Sequence, residues 1–254
     1  MLVVISPAKK LDTSGVKHQK FTVPSFINQS EQLIQQLRKL SPKDLKQLMK
    51  ISDDLAELNN QRYFSWNKKH DLEKCKQALF AFTGEVYAGL NAISFSESEV
   101  ENAQKHLRIL SGLYGVLKPL DLIHPYRLEM GTKLKIENYS NLYEFWRDVI
   151  VDDINKSIKE NKDKVLINLA SNEYFKAINK KKLIAPVITP VFKDFNKGSY
   201  KTVMMYAKKA RGAMASFILK NKITKPEELT AFDIDGYLFN KDVSNENEFV
   251  FYRG

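Results

Sequence analysis

The sequence has few residues suited to disulfide or metal chemistry. Its one cysteine, Cys75, cannot form an internal disulfide. Its four histidines show neither HxxxH nor HExxH spacing, and there is no CxxC pair. We therefore expect no metal site and no cofactor. The stretch "LEKCKQALF" fits either a reactive thiol favoured by Lys74 and Lys76 or a small, half-buried helix residue.

Long hydrophobic runs are also absent. The longest, such as "LINLA", have the length of a strand, whereas a membrane helix needs about 20 apolar residues. Pro7, Lys9 and Lys10 interrupt the apolar start of the chain, which is not the pattern of a signal peptide. We therefore expect a cytoplasmic protein with no membrane partner.

Acidic residues are nearly missing from one region. Residues 176–225 contain thirteen Lys and Arg against one acid, Asp194, a local net charge of +12 within a chain of net charge +10. From residue 226 onward the balance reverses to −5. Such a field attracts polyanions, including nucleic acid and nucleotide phosphates, although a lysine-rich solvated face has the same composition.

Hydrophobic periodicity predicts an irregular mixture of helices and strands. Ser41-Pro42 and "SESEV" are typical helix starts. The irregular order favours an α+β (mixed α/β) fold, with a mixed sheet flanked by helices in one compact unit spanning 1–254. We predict helices over 26–40, 42–49, 53–63, 96–110, 140–159 and 211–221, with 26–63 as a helical subregion, and strands over 2–5, 165–169, 186–192, 201–206, 236–239 and 248–252.

Polar residues follow two of the predicted strands. "VVISPAKK" places Ser6 and Lys9 just beyond the first strand, where sheet proteins commonly contact ligands, and "NLASNEYF" places Ser171 and Asn172 at the start of a short helix. These groups could contact an anion, or serve only as turn and capping residues.

A third segment, "YAKKARGAMASF", brings Lys208, Lys209 and Arg211 to the predicted end of a strand. The small residues after them allow a backbone or a ligand to approach closely, and the cations supply charge. This segment is the strongest candidate for a phosphate contact.

The segment "SGLYGVLKPLDLIHPYRLEMG" places polar groups among strongly apolar neighbours. Its candidates are Ser111, Tyr114, Arg127 and Glu129. Arg127 and Glu129 share a face if "YRLEM" is extended, because alternate residues of a strand point the same way. The pair belongs either to a binding pocket or to a buried structural junction.

The motifs "ISPAK", "SGLYGVLKPLDLIHPYRLEMG", "NLASNEYF" and "KKARGAM" occur in an order that resembles the YaaA peroxide-stress protein family of bacteria. The resemblance implies a cytoplasmic protein that limits oxidative DNA damage, binds DNA and has a positively charged cleft. It also implies a helix-hairpin-helix element, which we place at 33–49. The turn "LSPKD" there has no glycine, and Pro42 has no N–H for a phosphate.

Three functions are consistent with these observations. The first is a peroxide-stress protein that binds DNA without sequence specificity. The second is an enzyme that acts on a small, phosphate-bearing or nucleotide-like substrate. The third is a scaffold in iron or redox homeostasis, for which the sequence shows no set of metal ligands. No nucleophile and base can be paired from spacing alone.

Overall fold

A computed structural model describes residues 1–14, 18–162 and 164–254 of the chain. The strands in these ranges are β1 (Leu2–Ile5), β2 (Lys10–Leu11), β3 (Lys76–Gln77), β4 (Phe82–Thr83), β5 (Leu107–Ser111), β6 (Gly115–Leu117), β7 (Leu122–Ile123), β8 (Leu166–Leu169), β9 (Val187–Asn196), β10 (Ser199–Lys201), β11 (Leu238–Phe239) and β12 (Glu248–Arg253). The α-helices are α1 (Ile27–Leu37), α2 (Pro42–Met49), α3 (Asp53–Ser65), α4 (Ala78–Ala81), α5 (Glu85–Leu90), α6 (Glu97–His106), α7 (Leu142–Lys159), α8 (Asn172–Phe175) and α9 (Met204–Lys220).

The main sheet is mixed, as the sequence predicts. Within the described residues its order is β11-β12-β9-β8-β1-β5-β6, with β10 paired to β9. The central pairs β5-β1, β1-β8, β8-β9 and β9-β12 are parallel, whereas β6, β10 and β11 pair antiparallel to their neighbours. Every residue of β1, β5 and β8 is buried, as expected for parallel strands covered on both faces.

Helices that flank the sheet complete its core. Phe145 and Trp146 of α7 are buried and belong to the core. The Trp146 indole N–H donates to the carbonyl oxygen of Gly112 at 2.9 Å, so the large ring has a polar partner inside the protein. Among the described residues, no helix is both long and apolar enough to cross a membrane.

Residues 26–63 contain the three helices α1, α2 and α3, and the sequence specifies where two of them begin. Ser41 caps α2, and the Asp44 carboxylate accepts from the Ser41 backbone N–H in return. The Ser52 side chain caps α3 by accepting a hydrogen bond from the Leu55 backbone N–H. Leu33 and Leu37 of α1 are fully buried and belong to the same apolar cluster as the sheet residues.

Two predicted boundaries and one predicted residue placement are wrong. The helix predicted over 96–110 ends at His106, and the next residues form β5, because a fully buried strand has the same apolar run as a buried helix. The strand predicted over 201–206 ends at Lys201. Met204 and Tyr206 instead begin α9, where they are exposed while Ala207 is buried against the core. Cys75 is buried, but it lies before β3 rather than in a helix.

Candidate ligand-binding cleft at the ends of strands β1 and β8

The candidate site lies between β1 and β8, two neighbouring strands of the main sheet whose following connections go to opposite sides. The chain leaves β1 toward β5 on one side of the sheet, and it leaves β8 toward β9 on the other side. Both strands run parallel, so their carboxyl ends meet at the same edge. In open α/β sheets, this reversal leaves a crevice in which ligands bind.

Hydrogen bonds join the two strand ends directly. The Ser6 Oγ accepts from the Ser171 backbone N–H at 2.9 Å and lies 3.3 Å from the Ser171 Oγ. The Tyr87 hydroxyl of α5 donates to the Ser6 carbonyl oxygen at 3.2 Å, and burial raises its pKa, so the phenol stays protonated. These bonds fix the floor of the crevice.

Helix α9 supplies two cations to the crevice. Lys208 and Arg211, three residues apart, lie on one face of the helix and line the cleft. Within the described residues, neither side chain forms a hydrogen bond or an ion pair, and burial lowers the pKa of Arg211. Lys209 points elsewhere and pairs with Asp235 at 3.0 Å.

A pair of ionic contacts borders the opposite wall. The Arg127 guanidinium donates to Glu129 at 2.9 Å, although residues 124–129 form no strand with any described segment. The other Glu129 oxygen contacts the Lys9 ammonium at 2.7 Å. The Arg127 and Glu129 side chains are 15% and 21% exposed, so the pair is partly desolvated. The Nε of Arg127 is buried without a hydrogen-bond partner.

The cleft encloses about 940 Å³ of space, part of it open to solvent. Among the predicted residues it brings together Ser6, Lys9, Glu129, Ser171, Lys208 and Arg211. The sequence prediction missed Tyr87 and Tyr174: the second lies within the motif "NLASNEYF", but the first gives no sequence signal. No histidine or cysteine lines this cleft in the described part of the chain.

Five predicted residues do not line this cleft, and one of them, Arg127, lies beside it in contact with Glu129. Ser111 is fully buried and its Oγ lies 2.6 Å from the Tyr126 hydroxyl. Tyr114 is also fully buried and faces a histidine cluster. Asn172 is exposed at the start of α8, and Lys209 is held by Asp235.

That buried cluster contains His70, Cys75 and His124. Sequence spacing did not reveal it, because folding brings distant residues together. Burial lowers the pKa of His70 to about 4 and lowers the pKa of His124, so both rings are neutral near neutral pH.

Comparisons with known proteins agree over nearly the whole chain. The family described as peroxide stress protein YaaA matches residues 1–243. A UPF0246 protein of Colwellia psychrerythraea is 51% identical over 254 residues, covering 100% of this chain and 99% of that protein. A UPF0246 protein of Shewanella loihica is 50% identical over 254 residues, covering 100% of this chain and 98% of that protein. The chain therefore belongs to the peroxide stress protein YaaA family, and its role lies in peroxide stress.

Proposed function

We propose that the protein acts in the cytoplasm during peroxide stress by binding a small, phosphate-bearing ligand in the cleft between β1 and β8. The unpaired Arg211 at this cleft carries the proposal. A partly buried guanidinium without a counter-ion loses hydration and gains no Coulomb attraction in return. An anionic ligand would supply the missing partner, and Lys208 on the same helix face would bind a second oxygen of it.

The chemistry of the cleft supports a nucleotide-like ligand. Tyr87 and Tyr174 supply ring surface, the cations of α9 supply charge, and Lys9 stands on the opposite wall. Duplex DNA is too wide to enter such a crevice, so this site and a DNA surface are separate proposals.

The test is a binding comparison between two substitutions on one helix. Metal-free protein is titrated by calorimetry with inorganic phosphate, AMP and ATP. We expect Arg211→Gln to weaken the tightest of these about tenfold or more, because one charge-assisted contact is lost. Lys209→Gln is the matched control, since Lys209 pairs with Asp235 away from the cleft.

Mass spectrometry of small molecules released from denatured, freshly purified protein gives an independent result. An anion retained by wild type and by Lys209→Gln, but lost from Arg211→Gln, supports the proposal. Absence of any retained anion together with no binding of phosphate or nucleotides overturns it. Equal weakening by both substitutions shows general electrostatics and also overturns it.

DNA binding without sequence specificity is the second candidate. The local net charge of +12 over 176–225 favours it. Lys176, Lys197 and Lys201 in this region are exposed. The exposed lysines belong to several elements rather than one recognition helix, so they would contact phosphates rather than bases.

A further inference from the structure

The buried histidine cluster presents the donor atoms of a metal site. One ring nitrogen each from His70 and His124 and the sulfur of Cys75 all lie within 4.8 Å of one another. The three residues are 7%, 4% and 2% exposed. Imidazole nitrogen and thiolate sulfur are both donors that zinc takes in proteins, with bonds about 2.0–2.3 Å long. A small inward shift of the three side chains would bring them to these distances.

Backbone carbonyls fix the orientation of both rings. The His70 Nδ1 lies 3.0 Å from the Lys68 carbonyl oxygen, and the His124 Nε2 lies 3.2 Å from the Lys69 carbonyl oxygen. A carbonyl can only accept, so these two nitrogens carry the protons. In the neutral rings, the other nitrogen of each holds a lone pair. Ligating histidines are commonly held by such a second hydrogen bond.

Tyr114 completes the surroundings without competing as a ligand. Its oxygen accepts from the Trp66 indole N–H at 3.0 Å and from the His124 backbone N–H at 3.2 Å. Both lone pairs of the phenol are then used, and its own proton points to the His70 Nε2 at 3.3 Å. An ion at the cluster would replace that last hydrogen bond, and the phenol proton would turn to the Cys75 sulfur or to a water molecule.

One member of the cluster lies next to a surface pocket. Cys75 borders a small surface pocket together with Glu73 and Thr13. Lys76 also borders it, but its ammonium is neutralised by Asp12 at 3.0 Å. We expect an ion to approach the cluster from this side.

We propose that His70, Cys75 and His124 bind one zinc ion, with water as the fourth ligand. Binding converts the Cys75 thiol to a thiolate, and its proton passes to solvent. The ion joins the segment after α3, which carries His70 and Cys75, to the segment after β7, which carries His124. This function is independent of the cleft, which these three residues do not line.

Cobalt serves as the spectroscopic probe, because Co²⁺ enters zinc sites and its absorption reports both geometry and thiolate ligation. Tag-free, chelator-treated full-length protein is titrated with Co²⁺ under reducing conditions. We expect one equivalent to give intense visible bands of a tetrahedral ion and a near-ultraviolet thiolate-to-cobalt band, and excess Zn²⁺ to remove both. Since Cys75 is the single cysteine, no other thiolate can produce that band.

Three variants assign the ligands. Cys75→Ser should abolish the thiolate band, and His124→Asn should weaken Co²⁺ binding at least tenfold. His106→Asn is the matched control, because the His106 ring contacts the Met1 carbonyl elsewhere in the molecule, and it should retain wild-type spectra. If a variant fails to fold, the Co²⁺ titration of the wild-type protein still tests the zinc site. A folded wild type that shows no thiolate band, or loss of the bands in His106→Asn equal to that in His124→Asn, overturns the zinc site.

Discussion

Glu129 joins two cations from distant parts of the chain. It contacts Arg127 at 2.9 Å and Lys9 at 2.7 Å. We expect Glu129→Ala and Arg127→Ala each to abolish peroxide protection. A charge that loses its partner in a partly buried pair costs about 1–3 kcal/mol, so the variants should remain folded at growth temperature. Survival in hydrogen peroxide and thermal unfolding are measured together.

An exposed ion pair provides the comparison for Glu129. Asp53 pairs with Lys46 at 2.8 Å on the surface, and Asp53→Ala should change stability by no more than about 1 kcal/mol and leave peroxide protection intact. If the Glu129 and Arg127 variants are already unfolded at growth temperature, their loss of protection reports a structural junction and not a site.

The buried histidines give the metal-free protein a pH-dependent stability. The folded-state pKa of His70 is about 4, against 6.5 in an unfolded chain, with burial as the main cause. Between these values the unfolded state binds more protons, so this contribution is complete above pH 6.5 and is lost as pH falls toward 4. Over this range we expect a loss of about 1.4 kcal/mol per pH unit from His70, and the lowered pKa of His124 acts in the same direction.

Denaturant unfolding in chelator between pH 4 and 7 measures this slope. His70→Gln removes one titrating group, so its free energy of unfolding should depend less steeply on pH than that of wild type. His106→Gln leaves the buried pair intact and is the control. Identical slopes in wild type and His70→Gln would mean that His70 does not drive the acid destabilisation.

At the scale of elements, the crossing of α5 and α9 depends on glycine. A Cβ on Gly212 would lie 1.8 Å from the Val86 carbonyl oxygen, and one on Gly89 would lie 2.0 Å from the Lys209 carbonyl oxygen. The small residues of "RGAMA" thus admit a neighbouring backbone. The same crossing places Tyr87 of α5 and Arg211 of α9 at one cleft.

We therefore expect Gly212→Ala to destabilise the protein by about 2 kcal/mol or more, because neither backbone can move away cheaply. In an exposed helix the same change stabilises by about 1 kcal/mol, so the sign itself is informative. Gly198→Ala meets no atom within 4 Å and should cost only about 1–2 kcal/mol for its positive φ. Thermal or denaturant unfolding distinguishes the two. A stabilised Gly212→Ala would contradict the close crossing.

Local sequence signals predicted the elements that carry them. Capping at Ser41 and Ser96 located two helix starts to the residue. The boundary at His106 could not be predicted, because burial on all sides removes the periodicity that separates helix from strand. The polar loop after β1 was recognisable from its proline. Its contact with Ser171 depends on the sheet order, which no local signal specifies.

At the scale of the whole molecule, the apolar core is continuous. Leu33 and Leu37 of the helical subregion belong to the same cluster as Val3 and Ile167 of the sheet. We propose that residues 1–254 form one domain and expect a single unfolding transition by circular dichroism and by tryptophan fluorescence. Two separate midpoints would indicate that 26–63 unfolds independently.

The charge distribution predicts how the protein binds DNA. If the lysine-rich 176–225 region neutralises about 4–6 phosphates of a duplex, log K should fall against log salt with a slope of roughly −4 to −5. Affinity should vary little among duplexes of equal length, because phosphate contacts carry no base information. Fluorescence anisotropy over a series of salt concentrations measures both quantities.

Two sets of charge reversals locate the contacts. Lys197, Lys201 and Lys222 are exposed and do not line the cleft, so changing them to Glu tests the basic region without altering the proposed ligand site. We expect the slope to flatten by roughly three, one unit for each lost phosphate contact.

Reversing Lys43 and Lys46 on α2 tests the helix-hairpin-helix alternative. In that turn the Asp44 carboxylate already accepts a hydrogen bond from the Ser41 backbone N–H at 3.0 Å, so this N–H is not available to a phosphate. Loss of binding in the α2 variant alone would assign DNA contact to the hairpin. A slope near zero in wild type would exclude DNA as the partner and leave the cleft ligand as the proposed function.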